Sequence, residues 1–205
     1  MRQVAAAVGA ADMTSPGSGS GSGHDAIQAG RTPVKGEVVS MFRRVGLPGG
    51  VNGGLWLHGM PGRNEPLERA WAQIRVDGIQ TILCLAGSDE VRAKSPSYAA
   101  ALDAKSTPCS VEAFPIPDFG VPDACQSFWG LALDIAAQLK SGRRILIHCG
   151  AGVGRTGTLA TCILLALGQS RLDAQTVVST AGSGPETPEQ TALVAWCAAR
   201  ASAAS

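Results

Sequence analysis

Charge of one sign is what this chain most plainly lacks: 17 lysines and arginines stand against 16 acids, a formal net charge of +1. No overall field draws it to nucleic acid or to an anionic membrane, so any anion site must be local. Long hydrophobic runs are also missing. The longest, LATCILLALG at 159–168, falls well short of the roughly 18–20 apolar residues that span a membrane. The six cysteines (Cys84, Cys109, Cys125, Cys149, Cys162, Cys197) contain no CxxC and no Cys/His ligand spacing, which argues against structural zinc. Neither a metal nor a cofactor is expected. There is no internal repeat, and aromatic residues make up only 4% of the chain. With 45% hydrophobic and 16% charged residues, the composition is that of a compact soluble protein rather than a disordered or membrane one. A length of 205 residues suits one well-buried domain with a tail.

The opening MRQVAAAVGAAD has one arginine and a weak alanine-rich stretch, a poor signal peptide. Together with unpaired thiols it implies a cytoplasmic address. TSPGSGSGSGHD, which follows, is a linker that cannot bury enough apolar area to offset its ordering entropy. Residues 1–30 are therefore expected to be a flexible Gly/Ser-rich segment, and 31–205 the folded domain.

From there strands alternate with helices. GLWLHG reads as a short strand, NEPLERAWAQIRVDG as a helix with Leu67, Trp71 and Ile74 on one face, and IQTILCL as a buried strand. SPSYAAALDAK is a looser helical stretch, and VEAFPIP a strand ending at Pro115 or Pro117. DACQSFWGLALDIAAQLKSG has Asp123 as N-cap, Gln126 three residues on, an apolar stripe of Phe128, Leu131, Ile135 and Leu139, and a stop at Gly142. RRILIHC is a central strand, RTGTLATCILLALG a helix apolar all round, and two more helices fall near LDAQTVVST and TPEQTALVAWCAAR. This order predicts an α/β fold: a central, mostly parallel sheet flanked by helices.

The chemistry concentrates in RILIHCGAGVGRTGTLATCILLALG, residues 144–168. Strand, glycine-rich turn and helix make a phosphate site, and three kinds begin this way. A Walker A loop fails, because Cys149 stands where its first glycine belongs and Arg155 where its lysine belongs. The dinucleotide pattern G-x-G-x-x-G is present at Gly152, Gly154 and Gly157, with Asp173 about 20 residues on. Asp173, however, is not at the end of an apolar strand that would offer it to a ribose.

The third kind, C-x5-R, uses every residue. Backbone N–H groups of Gly150, Ala151, Gly152, Val153, Gly154 and Arg155, opening a helix, form a nest for a tetrahedral dianion. The same groups stabilise a nucleophilic thiolate at Cys149. Arg155 binds two phosphate oxygens with its planar fork. Thr156 is placed to hydrogen-bond the sulfur, and His148 to orient the loop through backbone bonds.

HCGAGVGRTG resembles the HCx5R signature of the protein tyrosine phosphatase superfamily. GIQTILCL, FPIPDFGVPD, ILIHCGAGVGRTGTL and GSGPETPEQ are similar to its dual-specificity branch, above all the cyclin-dependent-kinase-associated phosphatases. The resemblance implies a phosphomonoesterase working through a phosphocysteine on a phosphorylated protein or peptide. It also implies a general acid, for which Asp118 is the candidate and Asp123 the rival, the latter placed to cap a helix. Gln190 falls where such enzymes keep a water-positioning glutamine, although Thr187, Pro188 and Gln190 also spell a capping box. Glu186 replaces a second glutamine of that motif.

Ala151 and Val153 stand where phosphoinositide phosphatases carry lysines, so phosphotyrosine, with phosphoserine or phosphothreonine, is the expected substrate. A lipid or inositol-phosphate phosphatase, a phosphate-binding pseudophosphatase module and a sulfurtransferase are the alternatives. Arg63, Arg92 and Lys94 are candidates to contact an acidic substrate. Cys84 is a candidate partner for a reversible disulfide with Cys149. Neither nucleic acid nor a membrane is expected as a partner.

Overall fold

The computed structural model describes residues 40–203; the expected flexible segment 1–30 lies outside them. Among the described residues five strands form one sheet: β1 (Arg43–Val45), β2 (Gly54–His58), β3 (Thr81–Cys84), β4 (Ser110–Ala113) and β5 (Arg144–His148). Their order is β1-β2-β5-β3-β4. All neighbours run parallel except β1, which pairs antiparallel with β2. The fold is α/β with a largely parallel sheet, as the alternation of elements predicts.

The three apolar runs occupy the middle because both their faces are buried. Leu55, Leu57, Leu83, Ile145 and Ile147 point into one core, with helices α4 (Cys125–Lys140), α5 (Gly154–Ala166), α6 (Arg171–Thr180) and α7 (Pro188–Ala203). Trp56, Ile82, Cys84 and Leu146 point into the other, with α1 (Leu67–Asp77), α2 (Ser88–Lys94) and α3 (Pro96–Asp103). Alternate residues of each strand thus serve opposite layers. Helix α5 is buried on every side over most of its length, as its continuous apolar pattern requires. No helix among the described residues is long and apolar enough to cross a membrane.

Four details differ from expectation. The edge strand β1, RRV, is too short and too charged to carry a period-2 signal. Helix α2, SDEVRAK, buries only Val91, so no apolar stripe announces it. The regular part of β4 stops at Ala113, yet Phe114 and Ile116 still donate to the carbonyls of Cys84 and Leu85 at 2.9 and 3.0 Å. Pro115 and Pro117 alternate with them and fall on the unpaired outer edge, where a missing N–H is tolerated.

The fourth is a correction. Asp123 does not cap α4: the helix begins at Cys125, Ala124 is at the cap position, and no side chain bonds there. The rest of that helix follows the sequence, with Phe128, Ile135 and Leu139 buried and Gly142 taking φ +92° after the last turn.

Helix α5 also approaches the α6–α7 loop very closely. A Cβ on Gly157 would sit 2.1 Å from the Gly184 nitrogen and 2.6 Å from its Cα. Gly157→Ala must therefore push the loop away, at a cost of about 2 kcal/mol. We expect a lower urea midpoint at an unchanged m-value.

Candidate active site

The parallel strands β2, β5 and β3 end in line, His58 and Cys84 both pairing with His148. Ligand sites of open α/β sheets lie beyond such ends. Cys149 is the first residue past β5, and Gly154 opens α5. Between them the loop turns its carbonyls outward. Cys149 O accepts from His148 Nδ1 at 3.2 Å. Gly150 O accepts from Met60 N at 3.1 Å, and Val153 O from Gly157 N at 2.7 Å and Gly184 N at 3.4 Å. Gly152 O accepts from Ser183 Oγ at 2.8 Å and from Arg43.

With the oxygens tied outside, the amides face in. Gly152 N donates to Cys149 Sγ at 3.2 Å. The first-turn N–H groups of α5 have no partner in their own helix and carry its positive end. Only glycine fits at 152, where φ is +78° and a Cβ would lie 2.1 Å from the His58 carbonyl oxygen.

His148 is fully buried between this loop and Tyr98. A carbonyl can only accept, so Nδ1 carries the proton and gives it to Cys149 O, while Nε2 accepts from the Tyr98 hydroxyl at 3.1 Å. Burial pushes the imidazole down to about 4, so the ring stays neutral and orients the loop.

Arg155, 3% exposed, is held by a residue the sequence did not single out. Glu90 on α2 accepts from both ends of its fork, Nη1 at 2.7 Å and Nη2 at 2.8 Å. Ile116 O takes a third bond at 3.0 Å. The Arg155 bonds hold the Glu90 carboxyl well below the usual range, down to about 2, against the opposing effect of burial and with further help from Lys94.

Asp118 completes the cluster. Its Oδ1 accepts from Arg155 Nη2 at 2.6 Å, and its Oδ2 from Lys94 Nζ at 2.8 Å. The next residue, Phe119, takes φ +57° and is 64% exposed, an unusual conformation for a large side chain.

These groups surround a cavity of about 170 Å³ whose walls include Arg63, Lys94, Asp118, Phe119, Cys149, Ala151, Arg155, Glu186 and Gln190. A larger hollow of about 310 Å³, whose walls include Cys84, Val91, Arg92, Ala99 and Leu102, pairs its arginine with Asp89 and has a thiol that burial pushes up to about 11. Size does not decide here; the chemistry is in the smaller one.

A family model described as "Polymorphic toxin system, DSP-PTPase phosphatase" matches residues 58–169, more than half of the chain. The chain belongs to this phosphatase family. Curated relatives include cyclin-dependent kinase inhibitor 3 from Rattus norvegicus, 46% identical, and from Mus musculus, 48% identical, each over 56 residues. Those matches cover 27% of this chain and 26% of either relative, so they span about a quarter of its length.

Among solved structures, kinase associated phosphatase with its catalytic-site cysteine replaced by serine shares the fold at a TM-score of 0.67. It is 22% identical, covering 82% of this chain and 99% of that one. A mouse putative dual specificity phosphatase complexed with zinc tungstate shares the fold at 0.58, 14% identical over 84% and 96% of the two chains.

The structure brings Cys149, Arg155, Asp118 and Gln190 to one cavity. Asp123 does not line it. Gln190 lines the cavity and makes the backbone half of the capping box, its N–H donating to the Thr187 hydroxyl at 3.3 Å, while its side chain donates to Gly120 O at 3.0 Å and accepts from Glu186 N at 2.9 Å. It thereby ties the loop that carries Asp118 to the start of α7. The expected bond from Thr156 to the sulfur is not made. Its hydroxyl is buried without a partner.

Arg63 and Lys94 reach the cavity, whereas Arg92 pairs with Asp89 on the surface. All six cysteines are free. Cys84 donates to Ala86 O at 3.5 Å, and burial pushes its thiol up to about 11. Asp173 belongs to the N-terminus of α6, where its amide bonds the Ser170 hydroxyl, which removes it from any ribose-binding role. Glu90 was hidden in sequence because its helix is polar and its partner lies 65 residues away.

Acid should destabilise the protein in two stages. His148 takes up its proton in the unfolded chain near 6.5 but in the folded one only near 4, so stability falls as pH drops through that window. Glu90 adds a second loss from about 4.5 to about 2. Urea midpoints across pH should show both, and Glu90→Gln should abolish the lower step while costing about 3 kcal/mol at pH 7, the scale of a broken buried pair.

Proposed function

We propose that the chain is a cysteine-dependent phosphomonoesterase that removes phosphate from phosphotyrosine, and from phosphoserine and phosphothreonine, in proteins. The single observation that carries this is the convergence of a cysteine, a loop amide that meets its sulfur, a buried arginine and a carboxylate on one small cavity. In the first step Cys149 Sγ attacks phosphorus in line, and the ester oxygen leaves with the proton of Asp118. The loop amides and Arg155 take up the charge on the three equatorial oxygens.

In the second step Asp118 accepts a proton from water as it attacks the phosphocysteine, Gln190 orients that water, and Cys149 departs as thiolate.

The resting arrangement supports an exchange on binding. Asp118 occupies the outer side of the Arg155 fork, where an incoming dianion would compete for the same donors. Displaced from the fork, the Asp118 carboxyl lies at the cavity mouth, on the side where the ester oxygen leaves. Lys94 keeps a bond to it on the other oxygen. Exposed Phe119 on the cavity wall gives a phenolic ring an apolar surface, which favours aryl phosphates. A reducing cytoplasm belongs to the proposal, since the attacking sulfur must stay reduced.

The test is turnover of p-nitrophenyl phosphate in the presence of a chelator. Steady turnover that disappears in Cys149→Ser supports the proposal; tight phosphopeptide binding without turnover would make the chain a binding module. For the acid, Asp118→Ala should slow phosphopeptide turnover by a factor of order 10² to 10⁴. Asp123→Ala should leave it close to the parent rate, and the reverse ranking would transfer the role.

A further inference from the structure

Arg43 lies on edge strand β1, which the functional reading does not use. Its guanidinium is only partly exposed and bonds three carbonyls on two separate loops. One nitrogen donates to Gly152 O in the phosphate loop; the other donates to Gly182 O and to Ala181 O, the latter at 3.3 Å. Ser183, beside that second loop, places its hydroxyl 2.8 Å from the same Gly152 oxygen. Both lone pairs of one carbonyl are therefore filled from behind.

The peptide that follows is planar and trans, so the N–H of Val153 points opposite to the Gly152 oxygen. That direction is into the nest, where Gly152 N already reaches the sulfur. A cation on the carbonyl also polarises the peptide and strengthens its N–H as a donor. Burial lowers the Arg43 pKa, and negative charge at Cys149 opposes that effect, so the two groups are within electrostatic range.

We infer that Arg43, together with Ser183, is a positioning residue of the anion site, clamping the Gly152–Val153 peptide so that Val153 N–H donates to bound phosphate. This rests on the phosphate-ester reading and deepens it. The loop is then held between two arginines: Arg155, in the first turn of α5 and anchored by Glu90 on α2, faces the ligand, and Arg43 from edge strand β1 stands behind. The competing account is that Arg43 merely ties down the turn after α6, whose Ala181 and Gly182 carbonyls it also bonds.

Binding of inorganic phosphate to the whole chain separates the two, followed by calorimetry and by the amide proton of Val153 in a ¹H–¹⁵N spectrum. Arg43→Gln should weaken phosphate by about tenfold, the scale of a lost charge-assisted hydrogen bond. It should also move the Val153 amide upfield, and Arg43→Lys should recover part of both. Ser183→Ala, which leaves the α6 contact intact, should weaken phosphate by a smaller factor with the same direction of shift, and it carries the test if the Arg43 variants do not fold.

Unchanged phosphate affinity in folded Arg43→Gln, or in Ser183→Ala if the Arg43 variants do not fold, would overturn the inference. So would a lower urea midpoint with Val153 unmoved. If the parent protein itself neither binds phosphate nor shifts any amide of 150–155, the phosphate-site reading fails, and not Arg43's share of it alone.

Discussion

The constraint on which the rest depends is the direction of the peptide units between Cys149 and Arg155. A short loop can present its amides to one point only if its carbonyls are satisfied elsewhere, and here that is done by named donors. Met60, His148, Ser183, Arg43, Gly157 and Gly184 bond the oxygens of Cys149, Gly150, Gly152 and Val153. These donors come from the loop after β2, the end of β5, strand β1, helix α5 and the α6–α7 loop. The sheet and its helices thus act as a frame that holds one loop in an orientation it would not keep alone. An anion site built this way is preorganised, so little reorganisation is needed when charge arrives.

The second layer is a line of alternating charges. Lys94 bonds Glu90 and Asp118, and Arg155 bonds the same two carboxylates. Glu90 is the fixed member, its side chain only 15% exposed and doubly bonded to the fork. Asp118, about half exposed, is the movable one. A buried arginine without Glu90 would be an uncompensated charge, and its fork would be free to turn away from the loop. In the proposed exchange, the asymmetry between a firm anchor and a loose partner lets a phosphate replace one carboxylate while the other keeps the guanidinium in register.

How much of this was legible in sequence follows from the range of each signal. The middle strands and α5 were readable because burial on all sides writes a continuous apolar run, and β2, β3 and β5 stand where that run predicts. The C-x5-R spacing was readable because loop and helix are contiguous. The pairings were not: Arg43 meets Gly152 across 109 positions and Glu90 meets Arg155 across 65. An exposed-looking RRV strand and a polar SDEVRAK helix give no local sign that one of their charges turns inward.

The capping signal at Asp123 misled for a related reason. An aspartate ahead of an apolar helix is a good local cap, but here the chain enters α4 through Ala124 with no side-chain cap bond. Local preference is worth only about 1 kcal/mol, and the path of the loop that carries Asp118 overrode it.

The central claim is that an inward ring of amides and one sulfur take phosphate covalently. Rapid acid quenching during turnover of a phosphopeptide, followed by mass spectrometry of the peptide that carries Cys149, tests it directly. The account predicts one phosphoryl group on that peptide, built up before steady turnover begins and more abundant when Gln190 is replaced. Sustained turnover with the Cys149 peptide unmodified at every quench time would contradict it.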